Sequence, residues 1–78
     1  MKEVNEIVSD LKVILENHHG AEDIEMESSF KNDFGMDSLD VAEFWIHVER
    51  RFDIRTDDMF TESIDTNQEA AEYLFGKV

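Results

Sequence analysis

Cysteine and proline are both missing from this chain of 78 residues, and glycine occurs three times. Without cysteine, disulfides, thiolate metal sites and an intrinsic thiol nucleophile are excluded. A function that needs a thiol must obtain it from a prosthetic group. Basic residues are scarce as well: seven Lys and Arg stand against twenty Asp and Glu, a formal net charge of −13. That field repels nucleic-acid phosphates and anionic lipid headgroups, and it attracts basic protein surfaces or cations. No apolar run approaches the length of a membrane span. The start, Met1-Lys2-Glu3-Val4-Asn5-Glu6, lacks a basic region followed by an apolar one. No secretory signal is read there, and a cytoplasmic location is expected.

What is present suits one small domain over residues 1–78. Some 41% of the residues are apolar, enough for a folded core and too many for a disordered acidic tail. Core volume is modest at this size, so a deep pocket with its own catalytic machinery is not expected. Val4, Ile7, Val8, Leu11, Ile14 and Leu15 recur at helical spacing and define a first helix, stopped by Gly20 after His18 and His19. Residues 21–36 show no sustained period and read as a long loop, pinned by Ile24, Met26, Phe30 and Phe34. A second helix is expected from Ser38 to Phe52, with Asp37 as N-cap and Asp40 in the first turn, where negative charge suits the dipole. Its core stripe is Val41, Phe44, Trp45, Val48 and Phe52. Leu39, Ala42 and Ile46 form a second, narrower stripe flanked by Asp40, Glu43 and Glu49, a candidate contact surface.

Asp57–Glu62 is expected to form a short third helix. A fourth starts at Thr66, where Thr66-Asn67-Gln68-Glu69 fits a capping box, and its apolar side is Ala70, Ala71, Leu74 and Phe75. The architecture that follows is all-α: a four-helix bundle with a long first loop and a short third helix.

The segment that carries chemistry is Gly35-Met36-Asp37-Ser38-Leu39-Asp40, where a glycine-containing loop turns into the second helix. Gly35 allows a turn that a β-carbon would resist. Unpaired N–H groups at a helix start favour anions, so a phosphodiester on Ser38 would sit beside the positive end of the dipole. A plain N-cap or first-turn serine is the alternative at any helix start. Between Glu22 and Glu43 there are eight acids and one base, Lys31. Other chemistries fit less well. A hydrolase nucleophile elbow needs a second glycine and a preceding strand. His47 lies about two and a half helical turns beyond Ser38, too far to act as its base. An EF-hand register ending in Gly35 places Phe30, Asn32 and Phe34 where oxygen ligands are required. No metal site is expected.

With its flanks, Ser29 to Glu43 resembles the modification site of acyl carrier proteins, including the Asp-Ser-Leu core. The resemblance covers nearly the whole chain in length and helix order, and is densest from Ile24 to Phe52. It implies that Ser38 carries a 4′-phosphopantetheine arm, with Asp37 and Leu39 completing the motif. It further implies that the protein is not itself an enzyme, and that a phosphopantetheinyl transferase installs the arm. Acyl-transferring, condensing or modifying enzymes of fatty-acid, polyketide or related biosynthesis would then dock basic patches on Asp40, Glu43 and Glu49 and on the stripe Leu39, Ala42 and Ile46. A monomer is expected, without nucleic-acid partners or membrane insertion. Peptidyl and aminoacyl carriers are neighbouring possibilities, but they usually show a Gly-Gly-x-Ser type sequence, and Phe34-Gly35-Met36-Asp37 fits the acyl type better. From a different class, an unmodified acidic helical adaptor binding a basic partner accounts for the same composition. The chain departs from the family's pattern in four places. Arg50 and Arg51 stand where acids are common, Trp45 where a smaller aliphatic residue is usual, and Asn67 near a position usually apolar. No proline follows Ile54.

Overall fold

The periodicity of the first helix becomes α1, Val4–His19, in a computed structural model that describes residues 2–78. Ile7, Val8, Leu11, Ile14 and Leu15 are its buried face. Gly20 takes the left-handed conformation at φ 64°, and the N–H of Ala21 turns back to the Leu15 carbonyl at 3.2 Å, closing the helix end. α2 spans Ser38–Phe52 and buries Val41, Phe44, Trp45 and Val48, with Phe52 half-buried. α3 is the single turn Asp58–Thr61, capped by the Asp57 carboxylate, which accepts from the N–H of Met59. α4 runs Asn67–Leu74. α1 packs against both α2 and α4. Among the described residues there is no strand, and an isolated bridge joins Ser29 to Thr66. The chain has the all-α, acyl-carrier-like arrangement that its pattern implies.

The loop before α2 is held more firmly than its lack of period suggests. Phe30 is fully buried against Phe44, ring centroids 5.0 Å apart, while Ile24, Met26 and Phe34 pack half-buried on the core. Met36 and Ala21 are buried too, beyond the four apolar pins expected. A polar clasp joins this loop to the start of α4. The Phe30 N–H donates to the Asp65 carbonyl at 2.7 Å, and the Gln68 N–H to the Met26 carbonyl at 3.0 Å. One oxygen of the Asp65 carboxylate accepts from the Lys31 N–H at 3.2 Å, and the other from the Ser29 hydroxyl. Loop backbone that would otherwise lack partners is satisfied in this way, and the path from Phe30 to Ser38 is fixed.

Two details of α4 differ from expectation. Phe75 is 49% exposed rather than part of the apolar face, because the helix ends at Leu74 and Phe75 adopts an extended conformation that turns its side chain outward. The capping box is modified. Thr66 Oγ1 accepts from the Glu69 N–H at 3.1 Å, but the Glu69 carboxylate accepts from the N–H of Asp65, at 3.3 Å, and from the Thr66 hydroxyl. Asn67 is the first residue of α4 and is completely buried.

Candidate functional site

At the loop–helix junction Gly35 sits at φ 65°, a conformation glycine adopts without strain. Met36, two residues before the serine, is buried, and its N–H donates to the Phe30 carbonyl at 3.0 Å. The chain therefore leaves the core at a fixed point and turns into α2 with Asp37 as N-cap. The N–H of Asp40 donates to Asp37 Oδ1 at 2.9 Å, and the N–H of Asp37 donates to Asp40 Oδ2 at 3.2 Å. This reciprocal pair is a capping box built from two aspartates. Ser38, the first helical residue, is exposed, and its hydroxyl makes no hydrogen bond among the described residues. The backbone N–H groups of Ser38 and Leu39 likewise have no acceptor there. The junction thus leaves a free hydroxyl beside unpaired N–H donors, flanked by two carboxylates that do the capping.

Beside Ser38 lies an open groove of about 610 Å³ between α2 and α3. Val41, Ala42, Trp45 and Ile46 line its α2 side, and Thr61 its α3 side. Lys31 and Arg55 also line it, and neither forms an ion pair among the described residues. Lys31, Arg55 and Thr61 were not apparent as groove residues from the sequence, since no helical period links the two basic residues.

The second stripe of α2 is solvent-facing: Leu39 is 67% and Ile46 46% exposed, and Ala42 is exposed between them. Glu43 is exposed and Asp40 half-buried. Glu49 is engaged within the chain, its Oε2 accepting from the Thr56 N–H at 2.7 Å and the Thr56 hydroxyl at 3.1 Å. It thereby ties the last turns of α2 to the connection leading to α3. Arg51 is also committed: two of its N–H groups donate to Asp10 Oδ1 of α1, at 2.8 and 3.1 Å. Arg50 remains exposed.

On the neighbouring part of α2, His47 stacks on His18 with centroids 3.7 Å apart, and His19 meets the same ring edge-on at 6.4 Å. The end of α1 is thus packed on α2. Burial first, then the charges of His18, His19 and Arg50, hold the His47 pKa below its ordinary value, against an opposing pull from Glu43. Among the described residues no three His, Asp or Glu side chains converge on a metal-sized site. Among the described residues no helix is long and apolar enough to cross a membrane.

Fold and junction together describe a helical scaffold that displays a serine. The profile of the family described as "Phosphopantetheine attachment site" matches residues 6–74. The chain belongs to this family of phosphopantetheine-bearing carriers, whose members hold the group covalently on a serine and work with a phosphopantetheinyl transferase and partner enzymes. The residues present fit that group: a free, exposed hydroxyl stands at a helix start, beside unpaired N–H donors and next to a groove.

Proposed function

We propose that this chain is an acyl carrier protein with its 4′-phosphopantetheine arm on Ser38, and that it catalyses no reaction itself. The observation that carries this reading is the division of labour at α2. Asp37 and Asp40 cap the helix, and the Ser38 hydroxyl is left with no structural task. In the modification, Ser38 Oγ gives its proton to a base on the transferase and takes the 4′-phosphopantetheinyl group of coenzyme A. A P–O bond to the adenosine bisphosphate breaks as the serine phosphodiester forms. Asp37 and Asp40 would offer carboxylates to the divalent cation that accompanies coenzyme A on the transferase, as one part of a composite site. The arm, once attached, supplies the terminal thiol this cysteine-free chain lacks, and carries acyl groups as thioesters.

Docking is assigned to the exposed stripe Leu39, Ala42 and Ile46 with Asp40 and Glu43, facing basic patches on fatty-acid, polyketide or related biosynthetic enzymes. Rim charges of this kind mainly steer encounter and orientation, which suits rapid exchange between partners. Glu49 contributes charge to the same face while its carboxylate anchors Thr56. Acyl rather than peptidyl cargo is supported by the Phe34-Gly35-Met36-Asp37 sequence before the serine.

The test is intact mass after incubation with coenzyme A, magnesium and a broad-specificity phosphopantetheinyl transferase, with Ser38→Ala alongside. One phosphopantetheine adduct on the wild type alone is expected. Absence of an adduct on folded protein, using a transferase active on a control carrier, overturns the assignment and favours the unmodified acidic adaptor.

A further inference from the structure

We propose that Trp45 determines which cargo this carrier shelters: short acyl groups with a neutral hydrogen-bond acceptor beyond the thioester. The inference rests on Ser38 being the attachment point, since the groove that begins at Ser38 is the space an attached arm reaches first.

Two properties of Trp45 lead there. The first is depth. The ring is 3% exposed and wedged edge-on between Phe44 at 5.4 Å and Tyr73 at 5.8 Å. Phe44 in turn packs on Phe30, and Tyr73 on Phe60, so aromatic rings from the loop, α2, α4 and α3 form one connected wall. A linear chain entering from Ser38 meets Trp45, the one of these rings that lines the groove, and passes it only by displacing a buried side chain, which forfeits close contacts. The shelter ends at the groove.

The second is polarity. The indole N–H of Trp45 is buried with no acceptor among the described residues. A buried donor without a partner carries its desolvation penalty unrelieved, and an occupant that brings an oxygen to it removes that penalty. The groove walls suit such an occupant, with Thr56 and Thr61 set beside the apolar strip of Val41 and Ala42. Its charges decide between neutral and anionic oxygen. Lys31 and Arg55 are offset by Glu49, Asp58 and Glu62, all lining the same groove, so a carboxylate gains no net attraction. A ketone or hydroxyl oxygen does not need one.

The experiment loads the wild type with butyryl, acetoacetyl or dodecanoyl phosphopantetheine from the matching coenzyme A thioesters. Each product is verified by intact mass, and thermal unfolding and tryptophan emission are then measured. Trp45 is the chain's one tryptophan, so the emission reports on this ring alone. The acetoacetyl form is expected to unfold at a temperature about 4–8 °C above the butyryl form, the shift for one hydrogen bond gained in a domain of this size. Its emission is expected to move to longer wavelength, and the dodecanoyl form to be no more stable than the butyryl form. Trp45→Phe, which keeps an aromatic wall and removes the N–H, is expected to erase the acetoacetyl advantage. A dodecanoyl form more stable than the butyryl form, or equal stability of the two four-carbon forms, overturns the proposal on wild-type protein alone, whatever the variant's folding. Loading without discrimination defeats this inference and leaves Ser38 as the attachment site; no loading defeats both.

Discussion

Asn67 offers the most direct test of how this small core is balanced. It occupies the first position of an i, i+3, i+4, i+7 set with Ala70, Ala71 and Leu74, the buried face of α4. It is 0% exposed, and both Oδ1 and Nδ2 lack partners among the described residues. An amide taken from water without compensating hydrogen bonds costs about 1–3 kcal/mol on the scale of protein mutations. Asn67→Leu keeps the branching and heavy-atom count of the side chain and removes that penalty, although its two methyl groups are bulkier than the amide they replace. The helix start does not depend on the amide, because Thr66 and Glu69 do the capping. The variant is therefore expected to be more stable by about 1–3 kcal/mol, and each 1 kcal/mol corresponds to roughly 4–8 °C in Tm at this size. Urea unfolding followed by helical circular dichroism measures it, as a higher midpoint with an unchanged m-value. A lower midpoint for Asn67→Leu would show that the amide is satisfied in solution, by an ordered water for example, and would refute the reasoning.

Two further perturbations probe the frame around the serine. Because the folded-state pKa of His47 is depressed below its ordinary 6.5, the unfolded chain binds the proton more readily. Its contribution to stability is present above pH 6.5 and is lost as pH falls through that value and on through the folded one. His47→Gln should flatten this part of a Tm-versus-pH curve, and an unchanged slope would assign the dependence to other groups. Asp65→Ala removes the acceptor for the Ser29 hydroxyl and the Lys31 N–H, a loss of about 1–3 kcal/mol for bonds to a charged, partly exposed group. Faster amide exchange at Lys31 and its loop neighbours is the expected signature, and unchanged exchange would mean that the apolar pins alone hold the loop.

How far the sequence carried the fold follows from which interactions are periodic. α1 and α2 are read directly, since their buried residues recur at helical spacing and their ends carry Gly20 and Asp37. The clasp from Asp65 to the loop joins residues 34 and 36 positions apart, and no local pattern announces it. The same is true of Arg51 on Asp10, 41 positions away, which turns an apparent departure in docking charge into a brace between α1 and α2. Phe75 departs from its pattern for the opposite reason. The helical period continues through it, but the backbone leaves the helix one residue earlier.

The serine shows most clearly what geometry adds to pattern. Aspartate and serine are both preferred N-caps, and here they are adjacent, so a shift of one residue decides what the hydroxyl does. Had α2 begun one residue later, Ser38 would be the cap, its Oγ occupied by a backbone N–H and held against the helix. With Asp37 as cap, and Asp40 three residues on to return the bond, the two carboxylates take both reciprocal contacts. Ser38 then falls on the first helical position, exposed and unengaged. The buried Met36 and the clasped loop keep the junction in that register. A long loop in a chain with so little core is thereby explained by its task, which is to fix the helix start to within one residue so that the hydroxyl stays available.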